Sequence, residues 1–586
     1  MNLDITDGES NRHWSRRRFL RGASLGAVSL SILAACGPAA APAPTTPPAA
    51  APAPTTPPAA APTAAPKPAG TTAPAAAATT APAAAPTTAP AVAAPAPTGT
   101  LNVANADFSS ESFDPIVIGG QWPSVLYDLL LVFDDKGNVN GNVAEKYSLS
   151  PDGLTWTFNI RKGIKFHNGD PLTAEDVVFS LQRFGSKEST NPWSPYILKN
   201  NESITASDDY TVIYKAQKPE WPLKIPFATT PILPKNYFEK MGQDGFRAAP
   251  VGSGPYKFVK WVPKTSIEFA ANTEYWDTVK PQWASIIESF VPEESTRVAQ
   301  LQRGDMDIIG NLSFDRLLEL KNNGYRLEEV GLPTLANISF PGTFMTQGPT
   351  SDIRVRQAMS YAINRQEICD TFYKGLAKPG GFWFFSDQTW AFDASAFKAD
   401  AYDVDKAKQL LTDAGYPGKF TPQQIQLYTT AVAADLMQVL QGYWQAIGMD
   451  VNIQVVDTPV YNKLVFVRAT TPTEQQVGAV WPWVNVGAFN NVYHSANMFT
   501  STGVHTTSND TKADEMYQAA ITELDDSKAK KLWQDMMHYG YNTMWVNVEL
   551  VQVPTYFAVG KNVGAFKGRT WINLPDSYVA IQRASG

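Results

Sequence analysis

The most pointed chemistry in this 586-residue chain belongs to Cys36 and to a handful of scattered histidines. Cys36 ends the run Leu33-Ala34-Ala35-Cys36-Gly37, which resembles the bacterial lipobox, where the thiol is diacylated and the residues before it are cut away. Each buried CH2 contributes about 0.8 kcal/mol, so two or three acyl chains on one residue hold a protein at a membrane where one chain does so only marginally. Cys36 is thus the lipidation candidate and the expected first residue of the mature chain. His167, His494, His505 and His538 lie far apart, and no HExxH, CxxC, GxSxG or P-loop pattern accompanies them. No catalytic residue and no metal ligand set is assigned, and an enzyme is not expected. Cys369 sits in Glu367-Ile368-Cys369-Asp370 inside a helical pattern, where a packed core thiol is the expectation. With Cys36 acylated it has no partner for an internal disulfide.

The residues before Cys36 must deliver it. Ser15–Arg21 read SRRRFLR, and the apolar run Ala23–Ala35 follows. That run is about 13 residues long, short of the ~20 that span a bilayer but suited to a signal-peptide core. Arg16 and Arg17 followed by Phe19 and Leu20 resemble a twin-arginine export signal, with an ordinary secretory signal as the alternative. Both imply export. From about Pro38 to Thr98 the chain is almost wholly Ala, Pro and Thr, with near-repeats of APAPTTPPAA and almost no charge. Such a composition buries too little apolar surface to offset the entropy of folding, so an extended tether is expected.

Composition bounds the rest. Lys plus Arg number 48 against 55 Asp plus Glu, a formal net charge of -7, so the basic face that nucleic acid demands is not expected. The length exceeds what one hydrophobic core supports, and several lobes are expected.

A folded body begins near Thr100. Leu101–Ala104 is a strand candidate, and Thr155–Ile160 (TWTFNI) alternates with period two after the turn signal Asp152-Gly153. Thr173 with Asp176 forms an N-terminal cap for a helix carrying Val177, Leu181 and Phe184 on one face. Further along, Asp403 caps a helix that Gly415 and Pro417 stop. Ile425–Leu427, a helix with Leu436, Leu440, Trp444 and Ile447 on one face, and the alternating Val451, Ile453 and Val455 form a β-α-β unit, whose product is a parallel strand pair. Amphipathic helices around Tyr517–Leu524 and Ala529–Met537 follow, and apolar strand sequence from Val546 to Val559 comes after them. The class is α/β.

Several blocks together resemble the family 5 extracellular solute-binding proteins, the dipeptide-, oligopeptide- and nickel-binding components of ABC importers. They are Asn142–Phe184 (NVAEKYSLSPDGLTWTFNIRKGIKFHNGDPLTAEDVVFSLQRF), Pro250–Phe258 (PVGSGPYKF), Asn272–Trp276 (NTEYW), Ser295–Ile308, Asp352–Lys378 and Asp403–Pro417. The resemblance implies an α/β, periplasmic-binding-protein-like two-lobed fold with mixed sheets, a hinge and an extra inserted domain. Mapped onto this chain it implies a signal peptide at 1–35 and a lipidated, Ala/Pro/Thr-rich tether at 36–99. Lobe I would comprise 100–127, 250–340 and 548–586, with an inserted domain at 128–249 and lobe II at 341–547. The implied function is a substrate-binding receptor that captures a peptide or similar organic solute between its lobes and delivers it to an ABC permease and ATPase. The body would be monomeric and held by its lipid anchor at the outer face of the cytoplasmic membrane, without a cofactor. An oligosaccharide or metal-chelate receptor of the same fold, or an envelope adhesion protein, are the alternatives.

By position, the resemblance implies cleft-lining roles for Gly119, Gly120, Gln121 and Trp122 and for the strand end carrying Trp481, Trp483 and Asn485. Trp383 in the aromatic stretch Phe382–Phe385, and His494, are further candidates. Tryptophan faces stack on sugars, apolar groups and cations. Peptide-binding relatives carry an Asp after the Trp-containing strand to hold the ligand's amino group. Here Trp483-Val484-Asn485-Val486-Gly487 stands there, and no carboxylate follows before Asp510. A buried ammonium wants a paired carboxylate, so amine capture at that position is not expected.

Overall fold

The structure, a computed structural model, describes residues 96–106, 111–117, 123–134, 138–191, 193–345, 347–380, 390–393, 400–416, 425–465, 476–486, 492–503, 507–566 and 578–584. The expected export signal, Cys36 and the expected tether as far as residue 95 lie outside the described residues. No helix among the described residues is long and apolar enough to cross a membrane.

Local sequence explains most elements. The period-two reading of Thr155–Ile160 is met by a strand whose Trp156, Phe158 and Ile160 are buried on one side. Thr173 and Asp176 form a full capping box on the helix Ala174–Phe184. The Asp403 side chain accepts from Lys406 N at the start of the helix Val404–Asp413, and Gly415, at φ 89°, turns the chain after it. Left-handed backbone there favours glycine because it has no Cβ to clash. Cys369 is fully buried, within a π-helical turn Ile368–Phe372, and burial pushes its thiol up to about 11.

The main strands are β1 (Thr100–Asn105), β2 (Ala144–Leu149), β3 (Thr155–Ile160), β4 (Asn201–Asp208), β5 (Thr211–Ala216), β6 (Tyr256–Val262), β7 (Ser266–Ala271), β8 (Ser285–Phe290), β9 (Ile308–Ile309), β10 (Arg326–Ser339), β11 (Gln426–Thr429), β12 (Asn452–Val455), β13 (Ala479–Val486) and β14 (Asn547–Val559). Ten of them build one long sheet in the order β12-β11-β13-β10-β14-β9-β1-β8-β7-β6, and β2–β5 form a separate four-stranded antiparallel sheet in the order β2-β3-β5-β4.

Two antiparallel strands, β10 and β14, run through the long sheet from end to end of its two halves. Arg326 pairs with Val559 at one end and Ser339 with Asn547 at the other. In the first half β1 lies parallel to both β8 and β9. In the second half β11 lies parallel to β12 and β13, the parallel pair expected of the β-α-β unit. The second half is covered on both faces. Val480 of β13, with Ala336, Ile338, Val548 and Leu550, packs under the helices Ile353–Tyr361, Val404–Asp413 and Ala434–Ala446. Trp481, one residue on and therefore on the opposite face, joins Trp533, Met536 and Met537 of the helix Asp526–His538.

Candidate ligand cleft

Strand direction fixes where a ligand can sit. β9 is antiparallel to β14, with Ile308 opposite Val559 and Ile309 opposite Ala558, so β1, β8 and β9 all run toward the middle of β14. β13 is antiparallel to β10, with Val486 opposite Thr334 and Trp481 opposite Ser339, so β11, β12 and β13 run toward the same middle from the other side. The carboxyl ends of two sets of parallel strands therefore converge on one crossover. In open α/β sheets, ligands bind outside the carboxyl ends of the strands, where the topology switches.

The crossover itself is irregular. The β10–β14 register slips between Val330 opposite Thr555 and Thr334 opposite Val553. Gly331 there has φ 69°, and Pro333 and Pro554 supply no N–H to the ladder. Single register slips also occur within the halves, at Ala336/Asn337 and at Phe258/Lys260, but only the crossover combines a slip with a left-handed glycine and two prolines.

The first half presents tightly tied turns. Arg297, 1 % exposed in the helix Glu294–Arg303, donates from Nε to Gly310 O at 3.1 Å, from Nη1 to Pro292 O at 2.9 Å and Val291 O, and from Nη2 to Asn311 O at 2.6 Å. One guanidinium thus fastens the turns that follow β8 and β9, a task its planar fork of donors suits. Asn311 holds a left-handed backbone, φ 53°, and its Oδ1 accepts from Ala106 N just past β1 at 3.0 Å. Non-glycine residues in that region cost of order 1 kcal/mol and concentrate at functional sites.

The second half presents apolar surface. Val432 after β11, Val455 at the end of β12 and Val460 beyond it are 87 %, 56 % and 41 % exposed, three of the few large hydrophobic side chains left to solvent among the described residues. Isolated exposed valines are ordinary, but Val432 and Val455 lie at the carboxyl ends of the neighbouring strands β11 and β12, and Val460 lies in the helix Thr458–Val465 that follows β12.

Of the residues proposed from sequence, Trp481 alone has a described side chain. It is 1 % exposed in the core beneath the helix Asp526–His538, five residues short of the carboxyl end of β13, and its indole N–H has no acceptor among the described residues. Trp483 and Asn485 follow on the same strand and His494 lies in the helix Val492–Asn497, but their side chains lie outside the description. Gly119, Gly120, Gln121, Trp122 and Trp383 lie outside the described residues. The sequence reading missed Arg297, Asn311 and the three valines. The β-α-β pattern already put the turns after Leu427 and Val455 at one end of the sheet, a signal that leads to Val432 and Val460. Nothing in the type of Arg297 set it apart.

The model of the bacterial extracellular solute-binding proteins, family 5, matches residues 138–510. This chain belongs to that family. A putative ABC transporter peptide-binding protein of Brucella ovis is 27 % identical over 395 residues, covering 65 % of this chain and 73 % of the relative. The dipeptide-binding protein of Escherichia coli is 28 % identical over 399 residues, covering 61 % and 70 %. A periplasmic binding protein of Helicobacter pylori, solved with a bound peptide, superposes with a TM-score of 0.65 at 23 % identity, over 83 % of this chain and 98 % of that one. The fold is thus that of the two-lobed periplasmic binding proteins; of the two crossover strands, β10 lies inside the residues the family model matches and β14 beyond them.

Three of the motif blocks of this family 5 chain, 142–184, 250–258 and 272–276, meet at a place away from the crossover, whereas the block Ser295–Ile308 carries Arg297 at the crossover turns. Asp128 is buried and accepts from Tyr275 OH at 2.8 Å and Trp276 Nε1 at 2.7 Å; burial pushes its carboxyl up to about 6. His167 bonds through its ring to Gly254 O at 3.0 Å and Gly252 N at 3.3 Å, and burial pushes it down to about 4. Arg161 lies 4.9 Å over the Trp276 ring. The blocks 142–184, 250–258 and 272–276 therefore fasten the four-stranded sheet to the first half of the long sheet.

Proposed function

We propose that this protein is the substrate receptor of an ABC importer, capturing a peptide or similar organic solute at the β10–β14 crossover and handing it unchanged to a membrane permease. The observation that carries the reading is the convergence of two sets of parallel strand ends on one irregular crossover. Lobe I is the body built from 100–127, 250–340 and 548–586, lobe II is 341–547, and 128–249 is an insert carried by lobe I. The slip at Gly331, Pro333 and Pro554 is the hinge, because backbone without regular ladder bonds bends most cheaply. The exposed Val432 and Val455 at the carboxyl ends of β11 and β12 suit apolar side chains of a peptide or comparable solute. The protein is exported, lipidated on Cys36 and tethered through residues 36–99, acting as a monomer that binds without turnover.

Native mass spectrometry of the gently purified full-length chain tests this. The expected spectrum carries a small-molecule mass that leaves on partial unfolding, and the refolded protein retains peptides from a tryptic casein digest without cleaving them. A protein that carries nothing and retains nothing from the digest, or that hydrolyses it, overturns the reading.

A further inference from the structure

Beyond the crossover, the two halves of the molecule meet at a second place. The 221–229 region, which covers the four-stranded sheet, touches the helical hairpin Thr511–Thr522 and Asp526–His538, which packs on the second half of the long sheet. The Trp221 ring stacks on Trp390 at 4.8 Å and 21° and lies 6.3 Å from Trp533. Trp221 Nε1 donates to Asp526 Oδ1 at 3.0 Å, and Lys224 Nζ pairs with the same carboxylate. A Cβ at Gly153, in the β2–β3 turn, would overlap Leu524. Tyr517 of the hairpin shares a hydrogen bond with Tyr196.

The four-stranded sheet is fixed to the first half through Asp128, His167 and Arg161, and the hairpin belongs to the second. Among the described residues, the only strands joining the halves are β10 and β14, with their slipped register. Any rotation there must change this contact. Its chemistry also suits surfaces that spend time apart. The Asp526 side chain, which takes both Trp221 Nε1 and Lys224, is 63 % exposed, so water reaches the polar part of the contact.

We propose that this contact is a latch: the insert closes on the 511–538 hairpin through Trp221, Lys224, Trp390 and Asp526 only when the lobes close, and so holds the closed state. It rests on the hinged-receptor reading above and gives the insert a role in it. The stacked tryptophans supply contact area, and the Lys224–Asp526 pair sets its register.

Two spin-label pairs in a Cys36→Ala background of the full-length chain test the latch separately from the hinge. One pair, Asp152→Cys with Ser527→Cys, reports on the latch; the other, Glu293→Cys with Val432→Cys, spans the crossover. After refolding to strip any solute, both pairs are expected to give a short and a long distance. Lys224→Glu is expected to cut the short population about two- to fivefold, and Lys224→Glu with Asp526→Lys to restore it. A crossover pair with two distances beside a latch pair with one short distance, unchanged by Lys224→Glu, overturns the latch and leaves the hinge standing. A single distance at both pairs overturns the hinge and the latch with it.

Discussion

The segment 128–249 meets the rest of the molecule along two seams of opposite character. Against the first half of the long sheet the seam is held by hydrogen bonds around a buried carboxylate: Asp128 accepts from Tyr275 and Trp276, and the half-buried His167 bonds to Gly252 and Gly254. Against Trp390 and the 511–538 hairpin it rests on packed rings, with Trp221, Leu223, Tyr517 and Trp533 in one buried cluster, and on a single carboxylate, the half-exposed Asp526, that takes both Trp221 Nε1 and Lys224. The first seam is built as a weld and the second as a latch. Three of the family blocks lie along the weld, and a fourth, Ser295–Ile308, contributes Arg297 to the crossover turns.

The contrast can be broken in order of expected effect. Asp128→Leu removes the carboxylate that accepts from Tyr275 and Trp276 and should cost about 3–5 kcal/mol in urea unfolding, while Asp128→Asn, which keeps an acceptor, should cost about 1–2 kcal/mol. An Asp128→Leu protein as stable as the parent would remove the weld from the account. Gly252→Ala drives a methyl into the Leu126 carbonyl and the Tyr127 ring and should cost about 1–3 kcal/mol, read from the same unfolding curves.

A pH series sharpens the weld. The Asp128 carboxyl rises from 3.8 to about 6 because it is buried, so the folded chain holds this proton more tightly than the unfolded chain does. Its contribution to stability is therefore greatest below pH 4, declines as pH rises toward 6 and is level above that. Asp128→Asn should lack this decline. Equal pH slopes in the two proteins between pH 4 and 6 would contradict the assignment. Smallest of all, Lys224→Glu in the latch should shift global stability by no more than about 1 kcal/mol, since its partner Asp526 is largely exposed. A loss matching that of Asp128→Leu would mean that the second seam is as permanent as the first.

Much of this was legible in the sequence, for reasons particular elements make plain. The capped helices at Thr173 and Asp403 and the strand Thr155–Ile160 announce themselves because caps and period-two burial act over a few residues. The β-α-β unit from Gln426 to Val455 yielded its parallel pair for the same reason. The crossover did not, because the pairing of Arg326 with Val559 joins residues more than two hundred positions apart and no local pattern encodes it. Trp481 marks the limit of arguing from residue type. Tryptophan suits a ligand face and a core equally, and the alternation of β13 turns this one into the core. Arg297 marks the reverse, a charge whose partners are all backbone carbonyls and therefore invisible to side-chain patterns.

Small-angle X-ray scattering of the chain from Ala96 onward, with and without the peptides it retains from a casein digest, tests the receptor reading most directly. Closure about the β10–β14 crossover predicts a smaller radius of gyration on binding, at unchanged protein mass. Peptide bound with no compaction would contradict a cleft that shuts on its ligand.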